Sequence, residues 1–522
     1  MKKTIFKIIV SVLLLTGCSD DFLNMSSPNA LSDDVFWKSE NDAMLAIAGC
    51  YDALQDGNIY GGGPWSFGIN AMEGISDDAY WNWDHSYESI TWGTHTSMHA
   101  GIKTWWDSCY KVIVRCNKVI ALVPNIPMDE AKMRRIVAEA KFIRSLIYLH
   151  LTMTFRDVPL ILEPQTLANA DVPKNIKNEI INKIIDDLKE VTSVLPKEVP
   201  TSERGRVTSG AALGLLTRVY LYNNMWDEAA TTAKKIINEY NYVIHPSYKD
   251  LFSLAGENSK EIIFAIEFER GIGEGQLVGR HFANAPPHMA TLPNLVDEYY
   301  CIDGLPIDKS PLFKGDPSQL PSLLNLNYLR DVKRYINRDP RLGYTLVTNN
   351  SIWSGKPINM VYVTTGVVFR KWSEEAVGGI SLNYTDNALN IQVIRYADIL
   401  LMWAEASVMS GKYQESDIID AINKIRQRGD VMMPKVEVIE GTGLSKEKLL
   451  TIIKHERRIE LAYEGLRYFD LIRWGELKDA WNNGWTPKSN SRMYIEPRSN
   501  VWPIPQYEID NNSALIQNPE WQ

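Results

Sequence analysis

Three groups of residues in this chain have types and spacings that could do chemistry. Asp77, Asp78, Asp84 and Glu88 crowd one short segment, and glycoside hydrolysis uses two carboxyl groups about 5 Å or about 6.5–9.5 Å apart across the scissile bond. His95 and His99 are four apart, a spacing that on a helix aims two imidazoles at one metal. A metalloprotease needs Glu after the first of them, and Thr96 stands there, so two ordinary polar histidines are the preferred reading. In HERRIELAYEGLRYFDLIRWG (His455 to Gly475), Glu456, Glu460 and Glu464 stack on one helical face. The arginines interleaved with them point to structural ion pairs rather than catalysis, with Glu464–Arg467 and Asp470–Arg473 expected to bridge at i,i+3. No GxSxG elbow, P-loop, EF-hand loop or GxGxxG occurs. The expectation is no catalytic residue, no metal and no cofactor.

The aromatic segment YWNWDHSYESITW (Tyr80 to Trp92) poses a different question, because its rings sit among polar groups with no Leu, Val or Phe beside them. In an extended conformation Trp81, Trp83, His85 and Tyr87 share a face. That face is either core or a binding platform. With 16 Trp and 24 Tyr in 522 residues, the chain has a generous supply of large amphipathic rings, which suit binding surfaces.

The N-terminus, MKKTIFKIIVSVLLLTGC, places Lys2, Lys3 and Lys7 ahead of a short apolar run that ends in small residues. This is an export signal over residues 1–17, too short to remain as a spanning helix. Its end, LTGC, resembles the bacterial lipobox, which makes Cys18 the lipid anchor, and acyl chains there would hold the protein at a membrane surface. Loss of the three signal lysines takes the net charge from −9 to −12. Nucleic acid is therefore excluded as a partner, since it requires concentrated positive charge. Cys50, Cys109, Cys116 and Cys301 form no CxxC pair. Cys109 and Cys116, seven apart on a helix, are about 10 Å apart along its axis and cannot bridge, so buried free thiols are expected.

Elements that position these residues follow from periodicity. Apolar residues recurring at three and four predict helices over Asp42–Leu54, Thr104–Val123, Asp129–Thr154, Lys177–Leu195, Ser209–Asn223 and Trp226–Tyr240, with a second helical block from Gln392 to Trp474. Between them, residues 241–390 are rich in Gly, Pro and Asn, with short strands expected near Glu261–Ile266 and Val361–Val368. Two helical hairpins share a turn pattern: Asn224, Trp226 and Ala229 in one, Gly411, Tyr413 and Ser416 in the other. A polar residue or Gly closes the first helix, an aromatic plugs the gap and a small residue admits close approach, as in stacked tetratricopeptide hairpins. VWPIPQYEI is expected to run extended over the surface.

IRYADILLMWAEA (Ile394 to Ala406), INKIRQRG (Ile422 to Gly429), the His455–Gly475 motif and WPIPQYEI (Trp502 to Ile509) resemble the recurrent motifs of the SusD/RagB family of nutrient-binding surface lipoproteins. AEAKFIRSLIYLHLTMTFRDVPLI and GRVTSGAALGLLTRVYLY agree with that resemblance, which spans nearly the whole chain. It implies a mainly α fold of tetratricopeptide-like hairpins with a loop-rich variable region and a few short strands. It also implies non-enzymatic capture of oligosaccharides or polysaccharides at the outer membrane and their delivery to a SusC-like TonB-dependent transporter. The corresponding organisation is one domain over 18–522: helical to 240, variable over 241–390, helical again over 391–475, then a tail over 476–522. A helical-repeat adaptor for peptides, or a glycan hydrolase, are the alternatives.

A sugar offers an apolar C–H face and a hydroxyl edge, so its receptor needs flat rings beside polar groups. On that ground, and because Asp77 and Asp78 match an S-D-[D/E] element of the family, the expected glycan contacts are Asp77, Asp78, Trp81, Trp83 and Trp92. Tyr300 and Trp353 are expected from the middle region. Arg280, His281, Tyr299 and Trp372 are secondary, and Trp105 and Trp106 are expected in the core.

Overall fold

The computed structural model describes residues 36–62, 66, 68–81, 87–272, 275–278, 288–319, 328–353, 355–360, 363–373, 386–483, 486 and 492–522. The export signal, Cys18, Trp83, Arg280 and His281 lie outside the described residues.

Helix α1 (Glu40–Leu54) starts at a capping box in which Ser39 and Asp42 satisfy each other's backbone N–H groups. Helices α2 (Ala100–Leu122) and α3 (Glu130–Phe155) follow, then α4 (Lys177–Val194), α5 (Ser209–Tyr222) and α6 (Trp226–Glu239). Each bound lies within a few residues of the one periodicity predicts. The reason is visible in α2, whose Ile102, Trp105, Cys109, Val112, Cys116 and Val119 form one buried stripe at spacings of three and four. Trp105 and Trp106 are in the core, and all four described cysteines are buried and free. Successive helices from α2 to α6 pack against their neighbours.

The second block begins with strand β8 (Ile391–Arg395), continues through α7 (Tyr396–Ser410) and α8 (Glu415–Arg426), and closes with α9 (Lys446–Glu460) and α10 (Arg467–Trp474). Helix α7 packs on α6 and on α9, so the two blocks form one helical body. Helix α5 is buried on every side and α7 nearly so, whereas α6 buries only Ala229, Ala233 and Ile236.

The two hairpin turns match in backbone: Asn224 (φ 59°) and Gly411 (φ 74°) both take the left-handed conformation that ends a helix. They differ at the third position, since Ala229 is fully buried but Ser416 is exposed. Close approach through a small residue holds only for the first hairpin.

The remaining strands are β1 (Ala79–Trp81), β2 (Ile262–Ile266), β3 (Met289–Thr291), β4 (Leu346–Thr348), β5 (Ile352–Trp353), β6 (Lys356–Pro357) and β7 (Val367–Phe369). They pair antiparallel as β1–β3, β2–β8, β4–β7 and β5–β6. β2–β8 staples the variable region to the start of α7. The C-terminal segment is not laid over the surface as expected. Trp502 and Ile504 are buried, Trp502 packs edge-on against Phe155, and the chain then turns into a short helix over Gln506–Asn511. The rigidity of Pro503 and Pro505 did not keep it outside, because its apolar side chains found a slot beside α3. Among the described residues no helix is long and apolar enough to cross a membrane.

Candidate functional site

The carboxylates of the His455–Gly475 motif are locked in a buried lattice. Arg395 contacts Glu261 at 2.9 Å and Glu460 at 2.7 Å, and Arg428 reaches the same two carboxylates at 2.7 Å each. Arg341 and Arg426 hold Glu456, and Lys371 holds Glu464 at 2.9 Å. The expected Asp470–Arg473 bridge is present at 2.7 Å. Glu464 does not bridge Arg467; it turns inward to Arg395 and Lys371, while Arg467 is drawn to Asp77. Burial raises the pKa of Glu460, but the three arginines around it outweigh that and hold its carboxyl well below the usual range. Such groups are committed to buried ion pairs.

The segment from Gly74 to Trp81 is clamped in the same manner. Asp77 receives two hydrogen bonds from Arg467, at 2.8 and 2.9 Å, and Asp78 receives two from Arg458, at 2.8 and 2.5 Å. Arg492 donates to the carbonyls of Gly74, Ser76 and Ala79, and the Trp481 indole donates to that of Ile75 at 3.0 Å. Asp77 is depressed in pKa, Arg458 and Arg467 overcoming its burial; Asp78 is raised, burial prevailing over Arg458. Both side chains are buried, as is Glu73 beneath them, which burial and the Asp78 charge push up to about 8.

Trp81 has no exposed surface; its ring lies against Gly74, where a Cβ would come within 2.5 Å of the indole nitrogen, and against Tyr87. Its backbone N–H donates to Glu88 Oε1 at 2.7 Å. That bond ties together the two ends of the 82–86 span on which Trp83 is carried. Asp77, Asp78 and Trp81 are thus internal as placed and offer a glycan no surface, which differs from the solvent-facing role expected of them.

The other expected contacts divide. Trp353 is 4% exposed, with the Arg370 guanidinium 5.4 Å from its ring centre, and Tyr299 and Trp372 are also buried. Trp92, at the end of a short helix over Glu88–Thr91, and Tyr300 are half-buried. Tyr300 stacks on His455, ring centres 4.0 Å apart, and His455 Nε2 lies 3.6 Å from Glu298. Glu298 in turn is 3.5 Å from Arg458, so one polar chain runs from Asp78 to the Tyr300 ring. The geometry therefore brings Asp77, Asp78 and Tyr300 into one neighbourhood.

Arg458, Arg467 and Arg492 are the residues of this neighbourhood that sequence reasoning missed. They lie more than 370 positions from the segment they grip, and no local spacing signals such a pairing. His95 is buried edge-on against Trp521, and burial, then His99, lowers its pKa to about 4. His99 caps α2 by accepting from the Ile102 N–H at 3.1 Å. No group of metal-ready side chains occurs among the described residues.

Comparison with known proteins agrees with this architecture. The family model described as "SusD family" matches residues 260–521, and one described as "Starch-binding associating with outer membrane" matches residues 21–221. A SusD-like protein of Formosa agariphila is 26% identical over 546 residues, covering 98% of each chain. Among solved structures, a SusD-like carbohydrate-binding protein from Bacteroides fragilis is 28% identical, with a TM-score of 0.79, over 92% of this chain and 100% of its own. A laminarin-binding SusD-like protein, 24% identical, has a TM-score of 0.70 over 92% of this chain and 99% of its own. A family model matching half of the chain, over residues 260–521, with a second over 21–221 and a shared fold over 92% of the chain, assigns it: the chain belongs to the SusD family.

Proposed function

We propose that this protein captures oligosaccharides or polysaccharides at the outer-membrane surface, tethered through lipid on Cys18, and passes them without chemical change to a SusC-like TonB-dependent transporter. The observation that carries the reading is end-to-end likeness, at 28% identity, to a structure named as a carbohydrate-binding protein. The starch-binding and laminarin-binding relatives make neutral glucans the first ligands to try. In this reading Trp83 and Trp92 supply the stacking rings, and Tyr300 supplies another from across the neighbourhood. Asp77, Asp78 and Trp81 act beneath, fixing the chain that leads into the ring-bearing span. The burial and arginine pairing of Asp77 and Asp78, and the bonds of Glu88 to the Trp81 N–H and the Thr91 hydroxyl, favour binding over hydrolysis.

Calorimetry with laminarin and starch oligosaccharides tests the ligand, and a reducing-end assay on the same mixtures tests for turnover. Wild-type protein binds at least one of them with no release of reducing ends, and Trp83→Ala with Trp92→Ala weakens it. Unchanged affinity in that double variant overturns the assignment of the rings. Cys18→Ala moves the protein from the membrane fraction to the soluble one, and retention at the membrane would refute the anchor. Co-purification of a TonB-dependent transporter with the lipidated protein tests delivery, and its absence under gentle extraction counts against that partner.

A further inference from the structure

We infer that a cleft lined by none of the residues of the Asp77–Tyr300 neighbourhood is a second saccharide-binding site, taking a neutral oligosaccharide. The inference rests on the carbohydrate reading above and adds a location to it. A cavity of about 600 Å³ opens between the α4–α5 connection, the end of α6 and strand β2. A second cleft of about 390 Å³ runs on from it toward Tyr51 and Gln55 of α1, sharing Arg204, Gly205, Arg206, Ala265 and Glu267. The larger cavity lies within the size range of small-molecule sites, about 300–1,000 Å³. A groove continuous with another suits a chain-shaped ligand rather than a compact one.

Its chemistry is that of a polyol receptor. Tyr240 and Tyr242 stand with rings parallel to within 2° and centres 5.7 Å apart, both half-buried in the cavity wall. The Tyr240 hydroxyl is tied to Ser209 Oγ at 2.9 Å and that of Tyr242 to Thr208. Lys197 Nζ lies 4.9 Å from the Tyr240 ring centre and Tyr396 packs on Tyr242, so a ligand reaches ring surface by displacing the flexible lysine. Aromatic faces bind the C–H side of a sugar, and polar groups at the margin bind its edge. Arg204 provides that margin: its side chain, 41% exposed, is held by Glu267 at 2.8 Å and Asn258 at 3.1 Å, so it is oriented before a ligand arrives. Lys197, Arg204, Arg206 and Lys260 bring four positive charges to the lining, and four glutamates bring four negative ones. A site with no net charge favours a neutral ligand over an anionic or cationic one. Gly205, at φ +85°, sits where the clefts meet, and a Cβ there would stand 2.5 Å from Glu267 Cγ. A glycine is what keeps that junction from closing.

Calorimetry with laminarihexaose and maltohexaose on three proteins tests the inference: wild type, Arg204→Ala with Tyr240→Ala, and Trp83→Ala with Trp92→Ala. Hydrogen exchange of residues 195–208 and 239–242 under saturating sugar locates the site independently and reports whether each variant is folded. The expected result is two sites per wild-type chain, one of them weakened about tenfold or more in the cleft variant, as loss of a stacking ring implies. Protection of 195–208 by sugar should persist in the Trp83/Trp92 variant. A single site lost in the Trp83/Trp92 variant, with the cleft variant binding as wild type, overturns the second site and leaves the proposed function standing. A single site lost in the cleft variant supports the cleft and overturns the aromatic-span assignment instead. No heat and no protection with either sugar in the folded wild type removes the inference for neutral glucans, and binding of any other polysaccharide would still separate that failure from failure of the function.

Discussion

The lattice around Glu460 and the segment from Gly74 to Trp92 look unlike each other in sequence, one a run of charges on a helix and the other a run of rings. In three dimensions the first half of the aromatic segment is built as the lattice is. Asp77 and Asp78 are gripped by Arg467 and Arg458, which belong to the same helical motif that supplies Glu456 and Glu460. The true division falls within the segment, between clamped residues up to Trp81 and the half-buried Trp92. Carboxylate density alone does not mark a ligand site, because Asp77 and Asp78 already hold their arginines just as Glu456 and Glu460 do.

Breaking the lattice should have the largest effect. Arg395→Met leaves Glu261, Glu460 and Glu464 short of a buried counter-charge, and removing one partner of a buried pair costs about 3–5 kcal/mol. The urea midpoint should fall accordingly. A variant within about 1 kcal/mol of wild type would mean that Arg428, Arg341 and Lys371 suffice, since changes that break no buried network are usually this small.

Glu73 makes the clamped segment pH-dependent. Its folded pKa, pushed up to about 8 by burial and then by Asp78, lies above that of an unfolded carboxylate. The folded state therefore keeps a proton that the unfolded chain releases, so the stabilisation is full below the ordinary carboxylate range and is lost as pH rises through about 8. Asp398 has the opposite sign: burial raises it, Arg457 and Arg218 overcome that, and its pKa falls to about 2. Its stabilisation is present above the ordinary carboxylate range and is lost as pH falls toward about 2. Glu73→Gln should flatten the decline in melting temperature between about pH 5 and 8 and leave the acid limb unchanged; a decline that persists would place its origin elsewhere.

Legibility in the sequence followed the range of the interactions. The helices of the first block were readable because an apolar stripe such as Ile102 to Val119 is a local property, and so were the helix-closing positions Asn224 and Gly411. The fate of Glu464 was not, because Arg395 and Lys371 compete for it from 69 and 93 residues away and win over Arg467 at i+3. Nor was the burial of Trp81, which depends on a glycine at 74 and a carboxylate at 88 folding back on it. For the candidate site, residue type was readable and exposure was not, since exposure is decided by arginines at the far end of the chain.

Within the aromatic segment the comparison sharpens at Trp92. Its half-buried ring carries little of the core, so Trp92→Ala should change folding stability by less than about 1 kcal/mol. If a sugar stacks as a base does, glucan affinity should fall by about 1–3 kcal/mol. Calorimetry and a thermal melt on one preparation measure both. Equal losses in the two would make Trp92 a continuation of the clamp and move the boundary beyond it.

The smallest effect belongs to an ion pair outside both regions. Lys412 and Asp227 lie 2.7 Å apart with side chains 73% and 55% exposed, joining the turn after α7 to the start of α6. Water screens such a pair and side-chain entropy opposes it, so Asp227→Asn should cost less than about 1 kcal/mol. The same geometry buried, as between Arg428 and Glu460 at 2.7 Å with neither side chain exposed, should cost several times more to break. A melt of Asp227→Asn beside Arg428→Met measures that ratio directly. If the two variants lose similar stability, the lattice contributes through its packing rather than its charges, and the arginines that clamp Asp77 and Asp78 would have to be reread as spacers.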